Sequence, residues 1–159
     1  MTEKNFVSVE FLAASENEAL ARSVVSAVVL PADPSIEILS DIRTAVSEAV
    51  TNSIIHGYKG MSHNESGKAN MILMKCVRNE STLDVFIEDY GVGIDDIERA
   101  MQPLYTSAPE LERSGLGFTV MESFMDSIEV ESEVGNGTKI HMRKLLNSLL
   151  CEPSENDGI

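Results

Sequence analysis

The stretch that decides the fold is SEAVTNSIIHGY, residues 47–58 of a chain of 159 residues. Its apolar residues recur at helical spacing, and Gly57 stands where such a helix is expected to stop. Glu48, Asn52 and His56 follow at intervals of four residues, so they share one side of the predicted helix. This polar stripe borders the buried face. It therefore either meets solvent or serves a ligand that needs a carboxylate and an amide at fixed spacing.

The helix that contains this stretch is predicted to begin at Asp33, its N-cap, with Pro34 as its first residue. Its buried side is expected to consist of four aliphatic residues: Ile42, Val46, Ala49 and Val50. An earlier helix is predicted from a capping box formed by Ser15 and Glu18, and Pro31 is expected to end it. Two amphipathic helices thus precede most of the strands.

Strand patterns recur along the rest of the chain, at residues 6–12, 68–77, 81–89, 128–134 and 138–144. Shorter helices are predicted at residues 94–101 and 118–127. Because tight turns join two pairs of strands, the expected fold is α+β: a two-layer α/β sandwich with a mixed, mostly antiparallel sheet and helices on one face. We predict one domain over residues 1–144 and a flexible tail over residues 145–159.

The composition is that of a folded protein, with 43% hydrophobic and 24% charged residues. No apolar run is long enough to span a bilayer, and the first residues lack the pattern of a signal peptide. The net charge of −14 argues against direct binding of nucleic acid, which requires Lys and Arg. We therefore expect a cytoplasmic protein that does not contact membranes, and whose Cys76 and Cys151 are free thiols.

A second motif, DYGVG at residues 89–93, follows a predicted strand. A carboxylate at a strand end, here Asp89, can accept a hydrogen bond from an exocyclic amine such as that of adenine. Gly91 and Gly93 let the backbone approach a flat ring or turn sharply. Thr138, after the turn GNG, has a hydroxyl that could reach a base or a water near Asp89. A plain Asp-x-Gly turn is the common alternative.

A third motif, RSGLGF at residues 113–118, precedes a predicted helix. Gly115 and Gly117 expose backbone N–H groups at the positive end of the helix dipole, which is suited to phosphate. Arg113 adds a cation able to hold a phosphoryl oxygen. A glycine N-cap beside a surface arginine is an equally good explanation of this motif alone.

Taken in order, these motifs resemble the nucleotide-binding set of the GHKL ATPase/kinase superfamily, whose fold is the Bergerat α/β sandwich. Three longer segments narrow the resemblance: SEAVTNSIIHGY, DYGVGIDDIERAMQPLYTS and PELERSGLGFTVMESFMDSIEVESEVGNGT. They are similar to the anti-sigma-F factors, a family of protein serine kinases from endospore-forming bacteria. The resemblance covers about residues 5–144.

The resemblance implies ATP or ADP as ligand and Mg²⁺ as cofactor. Asn52 would hold the Mg²⁺ that bridges the phosphates, and Glu48 would be the general base that deprotonates a serine hydroxyl. Asp89 would recognise adenine, with Gly91, Gly93 and Thr138 around the ring. His56 is expected to pack or cap the helix end, and His63 and His141 are expected at the surface.

Residues 102–117 would form a lid over the triphosphate, with Arg113 nearest the γ-phosphoryl group as a second catalytic residue. The nucleotide contacts implied for the lid and the following helix are Thr106, Ser107, Arg113, Gly115, Leu116, Gly117 and Phe118. The family's lid carries Thr-Thr-Lys where this chain has Thr106, Ser107 and Ala108. The missing lysine removes one positive charge near the nucleotide.

Arg22 would contact the partners, which the resemblance gives as sigma factor F and, in competition, the anti-anti-sigma factor that is the kinase substrate. The family also implies a homodimer. Three alternatives stay open at this point. The chain could be a general-stress anti-sigma kinase, a non-enzymatic module whose bound nucleotide sets its partner, or the ATP-binding half of a sensor histidine kinase.

Overall fold

The structure, a computed structural model, describes residues 4–59, 69–103 and 117–147. Its strands are β1 (Asn5–Leu12), β2 (Met71–Arg78), β3 (Thr82–Asp89), β4 (Ser127–Glu133) and β5 (Gly137–Leu145). Its α-helices are α1 (Asn17–Val29), α2 (Ile36–Asn52), α3 (Ile97–Ala100) and α4 (Gly117–Phe124). A 3₁₀-helix, Leu30–Ala32, joins α1 to α2, and a π-helical turn, Ser53–Gly57, follows α2.

The strands form one sheet in the order β1-β2-β3-β5-β4, and every pair in it is antiparallel. The α+β sandwich is therefore confirmed, and the parallel component allowed for in the prediction is absent from the described strands. Strand β5 lies between β3 and β4, which places Thr138 opposite Asp89 in the β3–β5 ladder. The topology thus brings two of the predicted site residues together.

The core lies between one face of the sheet and the helices. The four aliphatic residues predicted for the buried side of α2, from Ile42 to Val50, are fully buried. They face alternate strand residues such as Met74, Ile87 and Met142. Burying a Val or Ile side chain contributes roughly 1.5–3 kcal/mol, so α2 is held firmly against the sheet. Within the described ranges, no helix combines the length and apolar character needed to cross a membrane.

The opposite face of the sheet carries a polar network around Asp84 on β3. Arg143 on β5 donates to both carboxylate oxygens of Asp84, over 2.9 and 3.2 Å. His141 lies 2.7 Å from the same carboxylate and stacks on the ring of Phe86 at a centroid distance of 4.3 Å. The surface position predicted for His141 is thus only partly right, because its ring is held from two sides. His63 lies outside the described residues.

The predicted capping box at the first helix is wrong. Helix α1 starts at Asn17 with Glu16 as its N-cap, and no side chain caps it. The carboxylate of Glu18 instead accepts a hydrogen bond from the hydroxyl of Thr51 on α2. The Glu18 side chain, which the local pattern assigned to capping α1, therefore forms a contact with another helix.

The predicted start of the second helix is also wrong. Ser35 is its N-cap, and the Ser35 hydroxyl accepts from the N–H of Ile38 over 3.2 Å. Asp33, at φ 50°, is instead the C-cap of the 3₁₀-helix, where it donates its N–H to Leu30 O. Because Asp33 ends the 3₁₀-helix, it does not cap α2, which begins three residues later at Ile36.

The predicted domain boundary at residue 144 stays a prediction. Strand β5 continues to Leu145, and the buried Leu146 donates its N–H to Ser81 O over 2.8 Å. The rest of the predicted tail, residues 148–159, lies outside the described residues.

Candidate functional site

The end of α2 widens into the π-helical turn Ser53–Gly57, whose last hydrogen bond runs from the Tyr58 N–H to Ser53 O over 3.2 Å. The helix does stop at Gly57, as predicted, but its last turn is not α-helical. A π-helical turn shifts the angular positions of its side chains, and such turns are frequent at functional sites. Here it directs both Ser53 and Gly57 towards Asp89.

Asp89 ends β3 with its side chain buried; the residue is 5% exposed. Its carboxylate accepts hydrogen bonds from the Gly91 N–H over 3.1 Å, from the Ser53 hydroxyl and from the Thr138 N–H. Burial raises the pKa of Asp89, and these three donors oppose the shift without cancelling it. The carboxylate is thus fixed by groups from the π-helical turn, the segment after β3, and β5.

Glycines allow the backbone to pack this closely. A Cβ on Gly91 would lie 1.7 Å from Gly57 O, and a Cβ on Gly57 would lie 2.8 Å from Asp89 Cγ. Gly137 has φ 98°, and a Cβ there would likewise lie only 2.0 Å from Asp89 O. Gly91 therefore packs against the π-helical turn and does not line the pocket itself.

A pocket of about 200 Å³ opens beside Asp89. Its wall includes six of the predicted nucleotide-binding residues: Asn52, Asp89, Gly93, Gly117, Phe118 and Thr138. Four hydrophobic residues complete much of the wall: Val92, Ile94, Ala100 and Ile140. Apolar walls with a few convergent polar groups are the usual form of a small-molecule site.

Helix α4 begins where two of the predicted residues on α2 converge. A Cβ on Gly117 would lie 3.0 Å from Asn52 Oδ1 and 3.4 Å from Glu48 Oε2. The structure therefore places the carboxylate and the carboxamide of the opening stripe side by side at the first residue of α4. This convergence connects the first sequence motif with the third.

Thr138 takes part through both its side chain and its main chain. Its hydroxyl forms a 2.8 Å hydrogen bond with the hydroxyl of Ser132, which also accepts from the Ile94 N–H over 2.7 Å. Its backbone N–H is the donor to Asp89. Thr138 thus lines the pocket and holds the aspartate, while its hydroxyl is engaged by a neighbouring strand.

Three further residues of the pocket wall come from the opening stretch or its end: Ser53, His56 and Lys59. The sequence did not single out Ser53 or Lys59, and it assigned His56 to the helix end. The π-helical turn accounts for the difference, since its side chains do not follow α-helical spacing. The predicted lid residues Thr106, Ser107, Arg113, Gly115 and Leu116 lie outside the described residues.

Arg22 lies on α1, in a groove between α1 and α2 whose lining also includes Arg43 and Glu48. Its guanidinium donates to the Ser47 hydroxyl over 2.9 Å. One turn further along α2, Thr51 donates to Glu18 on α1. The residues that follow Ser47 and Thr51 are Glu48 and Asn52. Arg22, the predicted partner contact, is therefore hydrogen-bonded to the same helix, α2, that carries these two site residues.

Comparison with known proteins adds to this geometry. The model of the histidine kinase-like ATPase domain matches residues 11–144. An anti-sigma F factor of Clostridium beijerinckii is 54% identical over 143 residues, which are 90% of this chain and 96% of the relative. One of Clostridium perfringens is 54% identical over 144 residues, 91% of this chain and 99% of the relative.

Two solved structures share the fold. The RsbU and RsbW domains of a Mycobacterium tuberculosis protein align with a TM-score of 0.60 at 14% identity, over 89% of this chain and 32% of that chain. The histidine kinase domain of a blue-light activated histidine kinase from Erythrobacter litoralis aligns with a TM-score of 0.54 at 17% identity, over 81% of this chain and 60% of that chain. With a family model over most of its length and relatives at 54% identity, the chain belongs to the anti-sigma F factor family of histidine kinase-like ATPase domains.

Proposed function

We propose that this protein is an anti-sigma factor that sequesters sporulation sigma factor F and, as an ATP-dependent protein serine kinase, phosphorylates the anti-anti-sigma factor. The names of its relatives support the sigma factor as partner. The single observation that carries the enzymatic part is the convergence of Glu48 and Asn52 on Gly117, at one side of the pocket that contains Asp89.

The pocket suits an adenine nucleotide. The Asp89 carboxylate has its in-chain donors on the backbone and on Ser53, and it remains part of the pocket wall. An adenine amino group donates to such an acceptor, whereas the 6-oxo group of hypoxanthine or guanine cannot. Asp89 would therefore select adenine, with Gly93 and Thr138 forming the surrounding wall.

The residues present also fit Mg²⁺ held jointly with phosphates. Among the described residues there is no group of three or more His, Cys, Asp or Glu that could hold a metal ion. Mg²⁺ often needs only one or two protein oxygens, because nucleotide phosphates and waters complete its shell. The Asn52 carboxamide would supply that oxygen. When bound, the ion neutralises charge on the phosphates.

Phosphoryl transfer depends mainly on positioning and charge neutralisation. Glu48 borders both the groove that contains Arg22 and the start of α4, so a protein substrate held at Arg22 would lie close to its carboxylate. Its carboxylate would accept the proton of the substrate serine hydroxyl. Arg113 and the other lid residues would contact the phosphates, and Arg22 would contact the partners. The functional assembly would be a homodimer in the cytoplasm.

The test is Glu48→Gln, assayed with labelled ATP and the anti-anti-sigma factor. We expect ATP affinity within about twofold of wild type and phosphorylation reduced by a factor of about 100 or more. Glu37→Gln, the same change in the exposed first turn of α2, is the matched control and should have wild-type activity. Full phosphorylation by Glu48→Gln would remove Glu48 from its proposed role. No label on serine in the wild type, with intact sequestration, would favour the non-enzymatic module.

A further inference from the structure

Tyr58 directly follows the π-helical turn and is buried, with 5% of its surface exposed. Its phenolic hydroxyl donates to the Met71 carbonyl and accepts from the Tyr90 N–H over 2.9 Å. Both functions of the hydroxyl are thus used by backbone groups of two different segments. Burial is the main cause that raises the pKa of Tyr58, so the hydroxyl keeps its proton at neutral pH.

These two backbone groups lie where β2 begins and β3 has just ended: Met71 is the first residue of β2, and Tyr90 directly follows β3. The β2–β3 ladder ends with Ile72 opposite Asp89, so Met71 and Tyr90 are the next facing residues. In a continuing antiparallel ladder, residues at such positions can bond to each other directly. Here the Tyr58 hydroxyl lies between the carbonyl of one and the N–H of the other. The ladder is therefore opened immediately after Asp89.

A second contact reinforces the first. The Val92 N–H donates to Gly57 O over 2.7 Å. Two successive residues, Gly57 and Tyr58, thus hold the backbone at Tyr90 and Val92, on both sides of Gly91. Since Gly91 donates its own N–H to the Asp89 carboxylate, the path of this segment sets where that carboxylate lies.

We propose that Tyr58 is a positioning residue for base recognition: its hydroxyl fixes the chain after β3 so that Asp89 presents its carboxylate to the adenine amino group. This inference rests on the proposed adenine site and assigns no chemical step to Tyr58. The hydroxyl acts only through the backbone of Met71 and Tyr90. Removing it allows these strand ends to close and shifts the segment that holds Asp89.

The test is Tyr58→Phe, which keeps the ring and removes only the hydroxyl. Affinities for ADP and for inosine diphosphate, which has a 6-oxo group in place of the amine, are measured by calorimetry. We expect the dissociation constant for ADP to rise about tenfold and that for inosine diphosphate to change less than twofold. A purely structural role for Tyr58 would weaken both nucleotides equally.

The matched control is Tyr90→Phe. Tyr90 is 44% exposed, has Glu10 and Glu88 as its charged neighbours, and is not one of the residues that line the pocket. Its loss should leave both affinities unchanged. Equal weakening of both nucleotides by Tyr58→Phe, or no weakening of ADP, would overturn the inference. Wild-type protein that binds neither nucleotide would instead overturn the proposed function.

A second measurement covers the case in which Tyr58→Phe lacks a cooperative unfolding transition. In the wild-type protein, amide hydrogen exchange at Tyr90 reports on the hydrogen bond to the Tyr58 hydroxyl. ADP should slow this exchange about tenfold, and inosine diphosphate at equal saturation should not. Equal slowing by both nucleotides, or none by ADP, would show that the contact is not coupled to base recognition.

Discussion

Gly57 lies directly against the carboxyl group of Asp89, where a Cβ on the glycine would be 2.8 Å from Asp89 Cγ. The neighbour is a side chain that three donors hold in place, so it has little freedom to move aside. The pattern gave Gly57 the role of a helix stop. In the structure the same glycine leaves the space that is occupied by the carboxyl group of Asp89, the residue proposed to recognise the base.

Gly57→Ala is therefore expected to lower ADP affinity by at least tenfold, because the added methyl group displaces the Asp89 carboxylate. Crowding of this kind should also lower the free energy of unfolding by about 1–3 kcal/mol. Calorimetry and urea denaturation measure the two effects. Gly135→Asn is the control, since a Cβ there meets nothing within 4 Å and Asn tolerates positive φ. Unchanged ADP affinity in Gly57→Ala would contradict the prediction.

Base recognition should depend on pH through Asp89. Because burial raises the pKa of Asp89, its carboxyl group takes up a proton at a higher pH than an ordinary aspartate. A protonated carboxyl is a poorer acceptor for the adenine amine. The preference for ADP over inosine diphosphate should thus fall as the pH is lowered from 7 to 4.

The ratio of the two dissociation constants is the quantity to measure, since the phosphates of both nucleotides titrate alike. Asp89→Asn should give a small ratio that is the same at every pH in this range. A ratio that stays constant in the wild type would argue that Asp89 does not contact the amine.

The ion pair of Asp84 and Arg143 should contribute to stability in a pH-dependent way. Burial raises the pKa of Asp84, but hydrogen bonds from Arg143 and His141 outweigh it, so the pKa lies below its ordinary value. A lowered pKa means that the stabilisation is present above about pH 4, the unfolded value, and is lost as the pH falls through the folded value. Asp84→Asn should lower the free energy of unfolding by about 1 kcal/mol at pH 7.

Urea denaturation at pH 7 and pH 3 tests this, and the difference between wild type and variant should shrink at pH 3. Glu88→Gln is the control on the same strand: its contact with Lys75 is 3.9 Å long and partly exposed, so its loss should matter less. If the difference in unfolding free energy between wild type and Asp84→Asn were larger at pH 3, the pKa of Asp84 would not be lowered in the folded protein.

Cys76 should be chemically inert in the folded protein. It is fully buried, and burial raises its pKa to about 12. The thiolate is the reactive form, so at pH 8 the buried Cys76 is almost entirely in its unreactive thiol form. In a Cys151→Ser background, a thiol reagent should modify Cys76 within minutes in urea and not in buffer. Rapid modification of the native protein would show that this part of the core opens readily.

The sequence predicted those features that depend on local repetition and on motif order. The buried side of α2, the strands, both hairpins and six of the pocket residues, among them Asn52 and Thr138, follow from such patterns. Helix starts were predicted less well. Glu18 and Ser35 show why. Glu18 accepts a hydrogen bond from Thr51 on another helix, and Ser35 is the N-cap of α2 because a 3₁₀-helix with Asp33 as its C-cap comes before it.

The residues around Asp89 were missed for a different reason. Ser53 and Tyr58 belong to the quoted stretch, yet their contacts depend on a π-helical turn and on strands β2 and β3, far along the chain. The rules for α-helical spacing assume 3.6 residues per turn, so they misplace the side chains of a π-helical turn. The glycine in the same turn was the available signal, since a required glycine can indicate close packing as well as a helix stop.

The paired contacts between α1 and α2 restrict how this chain can vary in length. Glu18 and Arg22 are four residues apart on α1, and their partners Thr51 and Ser47 are four apart on α2. Inserting one residue between Ser47 and Thr51 would rotate everything beyond it by about 100° and break the match at one end. Homologues should therefore tolerate substitutions in these turns far more readily than insertions or deletions.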